Sequence, residues 1–228
     1  MNALKTVERR ILVEEGIEVG SVWSRPSVGA PQRVVILAHG AGNDMHAPFL
    51  RHMHEGLAAR GAVSIRFNFP YKEQGRKAPD RAPRLEATWR AVIAAVRAEA
   101  QLAGLPLVLG GKSMGGRMAS HLAAAGEPCA GLLLLGYPLH PARRPETLRS
   151  AHLARIRCPT LFVQGSRDPL CDLALLEREL GPAPAPWRIH VIDGGDHSFK
   201  VPKRWGRSEA QVWGEILEVA ASWIEALP

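Results

Sequence analysis

At 228 residues the chain is long enough for one α/β domain with a full hydrophobic core, and no Ser/Gly linker, charge block or internal repeat divides it, so residues 1–228 are expected to form a single domain. Apolar residues make up 46% and charged residues 22%, an ordinary balance for a water-facing globule, and no apolar run approaches the ~18 residues of a membrane span. The net charge of +7 comes from arginines scattered among alanines rather than from a basic stripe with interleaved aromatics, so neither nucleic acid nor membrane is an expected partner.

In residues 1–8 no long apolar segment separates a basic head from a small-residue cleavage site, and no signal peptide is expected. Residues 8–23 alternate in type and break at Glu15-Gly16, which predicts an antiparallel hairpin followed by a loop over 26–31. The pattern then becomes continuous. Val34-Val35-Ile36-Leu37-Ala38 reads as a parallel strand covered on both faces, and it ends in His39-Gly40-Ala41-Gly42. Phe49, Leu50, Met53 and Leu57 space an amphipathic helix over 48–60, and residues 62–67 return as a strand to complete a βαβ unit. Residues 71–83 are polar, basic and punctuated by Gly75, Pro79 and Pro83, predicting a surface loop before an alanine-rich helix over 84–103.

An apolar strand over 105–110 then runs into Gly111-Lys112-Ser113-Met114-Gly115-Gly116 and an alanine-rich helical stretch over 117–125. This is a G-x-S-x-G turn between strand and helix. The serine there takes a strained backbone conformation, glycines flank it because strand and helix approach closely, and the helix N-terminus aims free N–H groups at whatever the serine attacks. Further buried strands are predicted at 131–136, 160–164 and 187–192. The second of these ends in Gly165-Ser166-Arg167-Asp168-Pro169, and the third runs into Asp193-Gly194-Gly195-Asp196-His197. Helices are predicted over 172–180 and 209–226, the latter burying Val212, Trp213, Ile216, Val219, Trp223 and Ile224. Strands alternating with helices define an α/β fold with a mostly parallel sheet, whose active sites collect at the carboxyl ends of the strands.

A serine hydroxyl becomes a nucleophile when a histidine takes its proton, and the histidine needs a carboxylate to hold its tautomer and stabilise its charge. Ser113, Asp168 and His197 supply these groups in the order Ser, Asp, His. Asp193 and Asp196 are the rival carboxylates; Asp196 adjoins His197 and would have to double back to reach its ring. On these motifs the whole chain resembles a small α/β-hydrolase with little or no lid. The resemblance implies an oxyanion hole from the backbone N–H groups of Ala41 and Met114, loop support from His39, and an acyl pocket bordered by His39; Lys112 is expected to shape that pocket or to pair with a carboxylate. Within that superfamily the Gly-Lys-Ser-Met-Gly-Gly string is similar to bacterial relatives of dienelactone hydrolases and to the hydrolase-like domain of a chromatin-complex subunit. Dienelactone hydrolases proper carry cysteine where this chain has Ser113.

The implied activity is cleavage of small ester or related acyl substrates through an acyl-enzyme on Ser113, with no cofactor and no metal. The competing expectation, a non-catalytic binding platform on the same fold, leaves the three strand-end residues without a purpose. Gly111-Lys112-Ser113 mimics the end of a phosphate-binding loop but has Pro106 where that loop requires glycine. His46, His52 and His54 lack a carboxylate cluster and face different ways on a helix, which argues against a metal site. Trp89, Trp205 and Trp213 read as core. Three widely spaced cysteines, Cys129, Cys158 and Cys171, argue against a disulfide framework and for the cytoplasm. The connection over 136–160, broken by Pro138, Pro141, Pro145 and Pro159, has room for a short helix but not for a lid, so an open pocket is expected. Arg76, Lys77, Arg143, Arg144, Lys200 and Lys203 form a basic rim whose simplest reading is solvated surface.

Overall fold

The computed structural model describes residues 4–181 and 183–228; residues 1–3, within the stretch inspected for a signal peptide, and Pro182 lie outside the described residues. Eight strands form one sheet in the order β1-β2-β4-β3-β5-β6-β7-β8. The hairpin of β1 (Leu4–Glu14) and β2 (Ile17–Pro26) pairs antiparallel, and β2 continues antiparallel onto β4 (Ala62–Phe67). From β4 through β3 (Arg33–Ala38), β5 (Leu107–Lys112), β6 (Gly131–Leu135), β7 (Thr160–Gly165) and β8 (Trp187–Ile192) every pairing is parallel. The chain passes from β3 outward to β4 and then returns to lay β5 on the other side of β3, so the sheet order reverses at β5, where crevices form beyond the strand ends.

Because neighbouring side chains on a strand point to opposite faces, the continuous apolar runs feed two cores. Ile36, Leu132 and Leu134 point to the layer of α3 (Ala82–Ala98), α4 (Met114–Ala124) and α5 (Leu173–Leu180), where Trp89, Met118 and Leu176 are buried. Val35, Leu37, Leu133 and Leu135 point to the layer of α1 (Pro48–Ala59) and α6 (Glu209–Glu225). These two helices touch at Gly56, where a Cβ would lie 2.2 Å from Leu217 Cδ2. A reciprocal capping box between Ser208 and Gln211 starts α6. Its buried face is Val212, Ile216, Leu217, Ala220, Ala221 and Ile224; Trp213, Val219 and Trp223, expected to be buried, are half-buried at the margin.

The structure corrects the expected loop over 71–83. Residues Pro70–Glu73 form a helical turn, α2, and Tyr71 is fully buried with its ring 5.8 Å from that of His39 and its N–H donated to Asp80 Oδ2 at 2.9 Å. Helix α3 begins at Ala82 with Pro83 in its first turn, where the missing N–H costs nothing, and ends at Ala98. Helix α4 begins at Met114, directly after Ser113. Trp205 is exposed rather than core. Between β6 and β7 the only helical element is the 3-10 turn Leu153–Arg155, and Tyr137, Leu139 and Leu153 press this connection onto the sheet. Cys129 and Cys158, distant in sequence, lie side by side.

Three buried histidines are held neutral. His39 is pushed down to about 4 and His54 and His152 to about 3, in each case by burial, with ring nitrogens bonded to the Phe69 N–H, Ser24 Oγ and Ser120 Oγ. A depressed histidine binds its proton more weakly folded than unfolded, so stability is intact above the unfolded value near 6.5 and is lost as pH falls below it, by about 1.4 kcal/mol per unit for each group. The melting temperature should therefore drop steeply from pH 6.5 to 5, before ordinary carboxylates titrate. A flat profile over that window would contradict the neutral, buried assignment.

Candidate active site

The local sequence forces an unusual backbone at Ser113, which has φ 51° and ψ −115° between the end of β5 and the start of α4. Glycines make the approach possible: a Cβ on Gly111 would lie 2.3 Å from Ala38 O and one on Gly115 2.4 Å from the same oxygen, while one on Gly116 would lie 2.6 Å from Gly111 O. The crossing of α4 over the tip of β3 thus lifts the Ser113 side chain above the sheet.

Ser113 Oγ lies 2.8 Å from His197 Nε2, and His197 Nδ1 lies 2.7 Å from Asp168 Oδ2. The three predicted residues form one hydrogen-bonded chain. With its Nδ1–H directed at the carboxylate, His197 leaves Nε2 free to accept from the serine. The Asp168 side chain is completely covered, whereas 23% of the His197 side chain remains exposed. Asp168 serves its own loop as well: Oδ1 accepts from the Leu170 N–H at 2.8 Å, a turn bond, while Oδ2 faces the histidine. The rivals are occupied elsewhere. Asp196 Oδ1 accepts from the N–H groups of Ser198 and Lys200 at 2.8 and 2.9 Å and so shapes the base loop, and Asp193 Oδ1 accepts from Ser166 Oγ at 3.3 Å.

The acid and base loops meet because Gly165 and Gly195 let their backbones touch; a Cβ on Gly165 would lie 2.3 Å from Gly195 O, and the Arg167 N–H donates to that oxygen at 2.8 Å. One supporting residue escaped the sequence reading. Gln164, fully buried near the end of β7, donates from Nε2 to Asp168 Oδ2 at 2.6 Å and accepts from the Tyr137 N–H at 2.8 Å. A lone glutamine closing an apolar strand four residues before the acid is the signal that could have found it.

His39 is buried, with Nδ1 on Gly40 O at 2.9 Å and Nε2 accepting from the Phe69 N–H at 3.2 Å, so both nitrogens are committed to the backbone and the ring braces the loop. Gly40 packs against the serine turn, where a Cβ would lie 3.4 Å from that of Ser113. Ala41 follows in a turn closed by the Asn43 N–H on Gly40 O, and Met114, first residue of α4, has no partner for its N–H within the helix. Among the described residues Lys112 pairs with no carboxylate. Its Nζ donates to the main-chain oxygen of His197 at 2.5 Å and lies 5.2 Å from the Phe199 ring centroid. Burial lowers its pKa to about 8, with Asp168 and Asp196 opposing that shift.

A cleft of about 350 Å³ is walled by Phe49, Leu50 and Trp213 and bordered by His39, Gly40, Lys112, Ser198 and Lys200; Lys112 and Ser198 are chain neighbours of Ser113 and His197, which do not themselves line it. Of the basic rim only Lys200 borders it; Arg76 is turned to Asp80 at 2.5 Å. The three helix-region histidines disperse. His54 bonds Ser24 Oγ, His52 lies against Trp213, and His46 faces the Arg66 guanidinium.

A sequence model of the α/β-hydrolase domain family matches residues 31–225, and the chain belongs to that family. Among solved structures it is similar to a dienelactone hydrolase from Anabaena variabilis, with 19% identity, 98% of each chain covered and a TM-score of 0.80. It is also similar to an alpha-beta serine hydrolase homologue from Coxiella burnetii, with 17% identity over 95% of this chain and 96% of that one and a TM-score of 0.75. A dienelactone hydrolase-like promiscuous phosphotriesterase from metagenomic libraries shares 15% identity over 99% of both chains, with a TM-score of 0.77.

The Lys112 bond ties the residue before the serine to the main chain of His197. Replacing it, as in Lys112→Met, removes a charged hydrogen bond of roughly 1.5–3 kcal/mol and should speed amide exchange across 194–200 by about tenfold or more. Unchanged exchange in that loop would show that the lysine does not restrain it.

Proposed function

We propose that this chain is a serine hydrolase of small acyl esters, with Ser113 as nucleophile, His197 as general base and acid, and Asp168 as the residue that orients and stabilises the imidazole. The observation that carries the reading is the unbroken Ser113–His197–Asp168 hydrogen-bond chain ending in a fully covered carboxylate. His197 Nε2 takes the Ser113 proton as Oγ attacks the carbonyl, and the negative oxygen that forms is received by the backbone N–H groups of Met114 and Ala41. Such donors are worth on the order of 3 kcal/mol each to the transition state. His197 then returns the proton to the leaving alcohol, and an acyl group remains on Ser113. Water enters, loses a proton to the same nitrogen and releases the acid. Each step is carried by side chains and backbone N–H groups of this chain together with water.

Solved structures of similar fold that are named as dienelactone hydrolase and as esterase support ester-bond cleavage. The apolar walls of the cleft and the absence of a lid over 136–159 favour short, water-soluble acyl groups. A binding platform would have no use for a strained serine; the strain supports catalysis. Three free thiols favour the cytoplasm, and among the described residues no helix is long and apolar enough to cross a membrane.

p-Nitrophenyl esters of increasing acyl length test the proposal. Acetate and butyrate esters should turn over fastest, chains beyond about ten carbons should be poor, and Ser113→Ala should abolish turnover. Asp168→Asn should lower kcat by about 10⁴ with the fold intact, and Asp196→Asn should cost far less. Equal damage from the two asparagine variants would mean that the wrong acid has been named.

A further inference from the structure

Ser113 lies at the carboxyl ends of the parallel strands; at their amino ends, the loop between α4 and β6 and the segment entering β7 bring Cys129 and Cys158 together. Their sulfurs are 3.3 Å apart, with the Cys129 thiol donating to Cys158 Sγ. Both are half-buried, and both line a shallow hollow of about 530 Å³ whose other walls include Glu127, Arg155 and Arg157. Arg155 and Arg157 are exposed, and neither forms an ion pair among the described residues. Both side chains pack at the margin of the core, with their sulfurs toward the hollow, and the proposed chemistry at Ser113 does not use them.

We propose that Cys129 and Cys158 are a reactive dithiol that a small anionic disulfide, docked against Arg155 and Arg157, oxidises to an intramolecular disulfide. The sulfurs need to close by about 1.2 Å to reach bonding distance, a movement within reach of side-chain rotation. The hydrogen bond from Cys129 favours Cys158 as thiolate and keeps Cys129 protonated, so Cys158 is the attacking sulfur. Cys158 Sγ⁻ attacks one sulfur of the small disulfide; that S–S bond breaks, and its electron pair leaves on the first small thiolate. Cys129 then gives its proton to solvent and attacks Cys158 Sγ, and the second small thiolate departs. Two protein thiols lose two electrons and two protons, and the small disulfide gains them as two thiols. Cys171 is buried and its thiol is pushed up by burial, so it takes no part.

Glutathione disulfide, which carries several carboxylates, is the probe. Incubating the protein with it should consume two of the three thiols, give a species lighter by two hydrogens, and yield a Cys129–Cys158 linked peptide that dithiothreitol cleaves. Cys129→Ser should stop the reaction at a glutathione adduct on Cys158, whereas Cys158→Ser should leave Cys129 unmodified. Cystamine, a cationic disulfide, should react more slowly, and the double variant Arg155→Ala/Arg157→Ala should remove its disadvantage. The proposal is overturned if all three thiols persist, if the link is between chains, or if glutathione remains on either cysteine of the wild type. Equal rates with the two disulfides overturn the docking by the arginines. Should a serine variant fail to fold, the wild-type peptide map decides by itself, because the linked pair either appears or does not.

Discussion

Everything in the candidate site depends on one close approach, that of the serine turn to the last residue of β3. Ala38 O would be within 2.4 Å of a Cβ on either Gly111 or Gly115, so only glycines permit α4 to start where it does. A non-glycine residue held at φ 51° costs on the order of 1–3 kcal/mol, and the two cores on either side of the sheet must supply it. The result is a serine whose side chain cannot relax back onto the strand. It stands above the carboxyl end of β5, beside the amino end of α4.

A second set of contacts holds His197 against that serine. Asp168 and His197 come from the loops after successive strands, which are neighbours by topology, and glycines at 165 and 195 let those loops touch. Asp196 folds the base loop, Phe199 closes it at φ 62° with its ring buried, and Lys112 reaches across from the serine turn to the His197 carbonyl. Lysine in the turn before the serine is therefore explained by a main-chain acceptor. A buried ammonium is costly, and holding one here makes sense only if the loop position matters.

The sheet was legible because its signals are local. Apolar runs such as Val34–Ala38 and Leu132–Leu135 can be satisfied only between two layers, and a glycine-flanked serine between strand and helix has one geometry. Ser113, Asp168 and His197 were placed at strand ends by the same logic, and the structure brings them into contact. What could not be read is what depends on partners remote in sequence. Tyr71 looked like part of a polar loop, yet the His39 ring and Asp80 give it a buried place. Gln164 gains meaning only when Tyr137 and Asp168 flank it, and Cys129 meets Cys158 only because α4 crosses back over the sheet. Trp205 is exposed although its type favours the core, and composition has no means of showing that.

The central claim is that Ser113 is a nucleophile activated by His197 in the folded protein. A fluorophosphonate that phosphorylates activated serines tests it directly, with intact mass and peptide mapping as the readout. The account predicts one adduct per chain, located on Ser113, absent from Ser113→Ala and strongly slowed in a folded His197→Ala. Labelling of wild type and Ser113→Ala alike, or of neither, would contradict it.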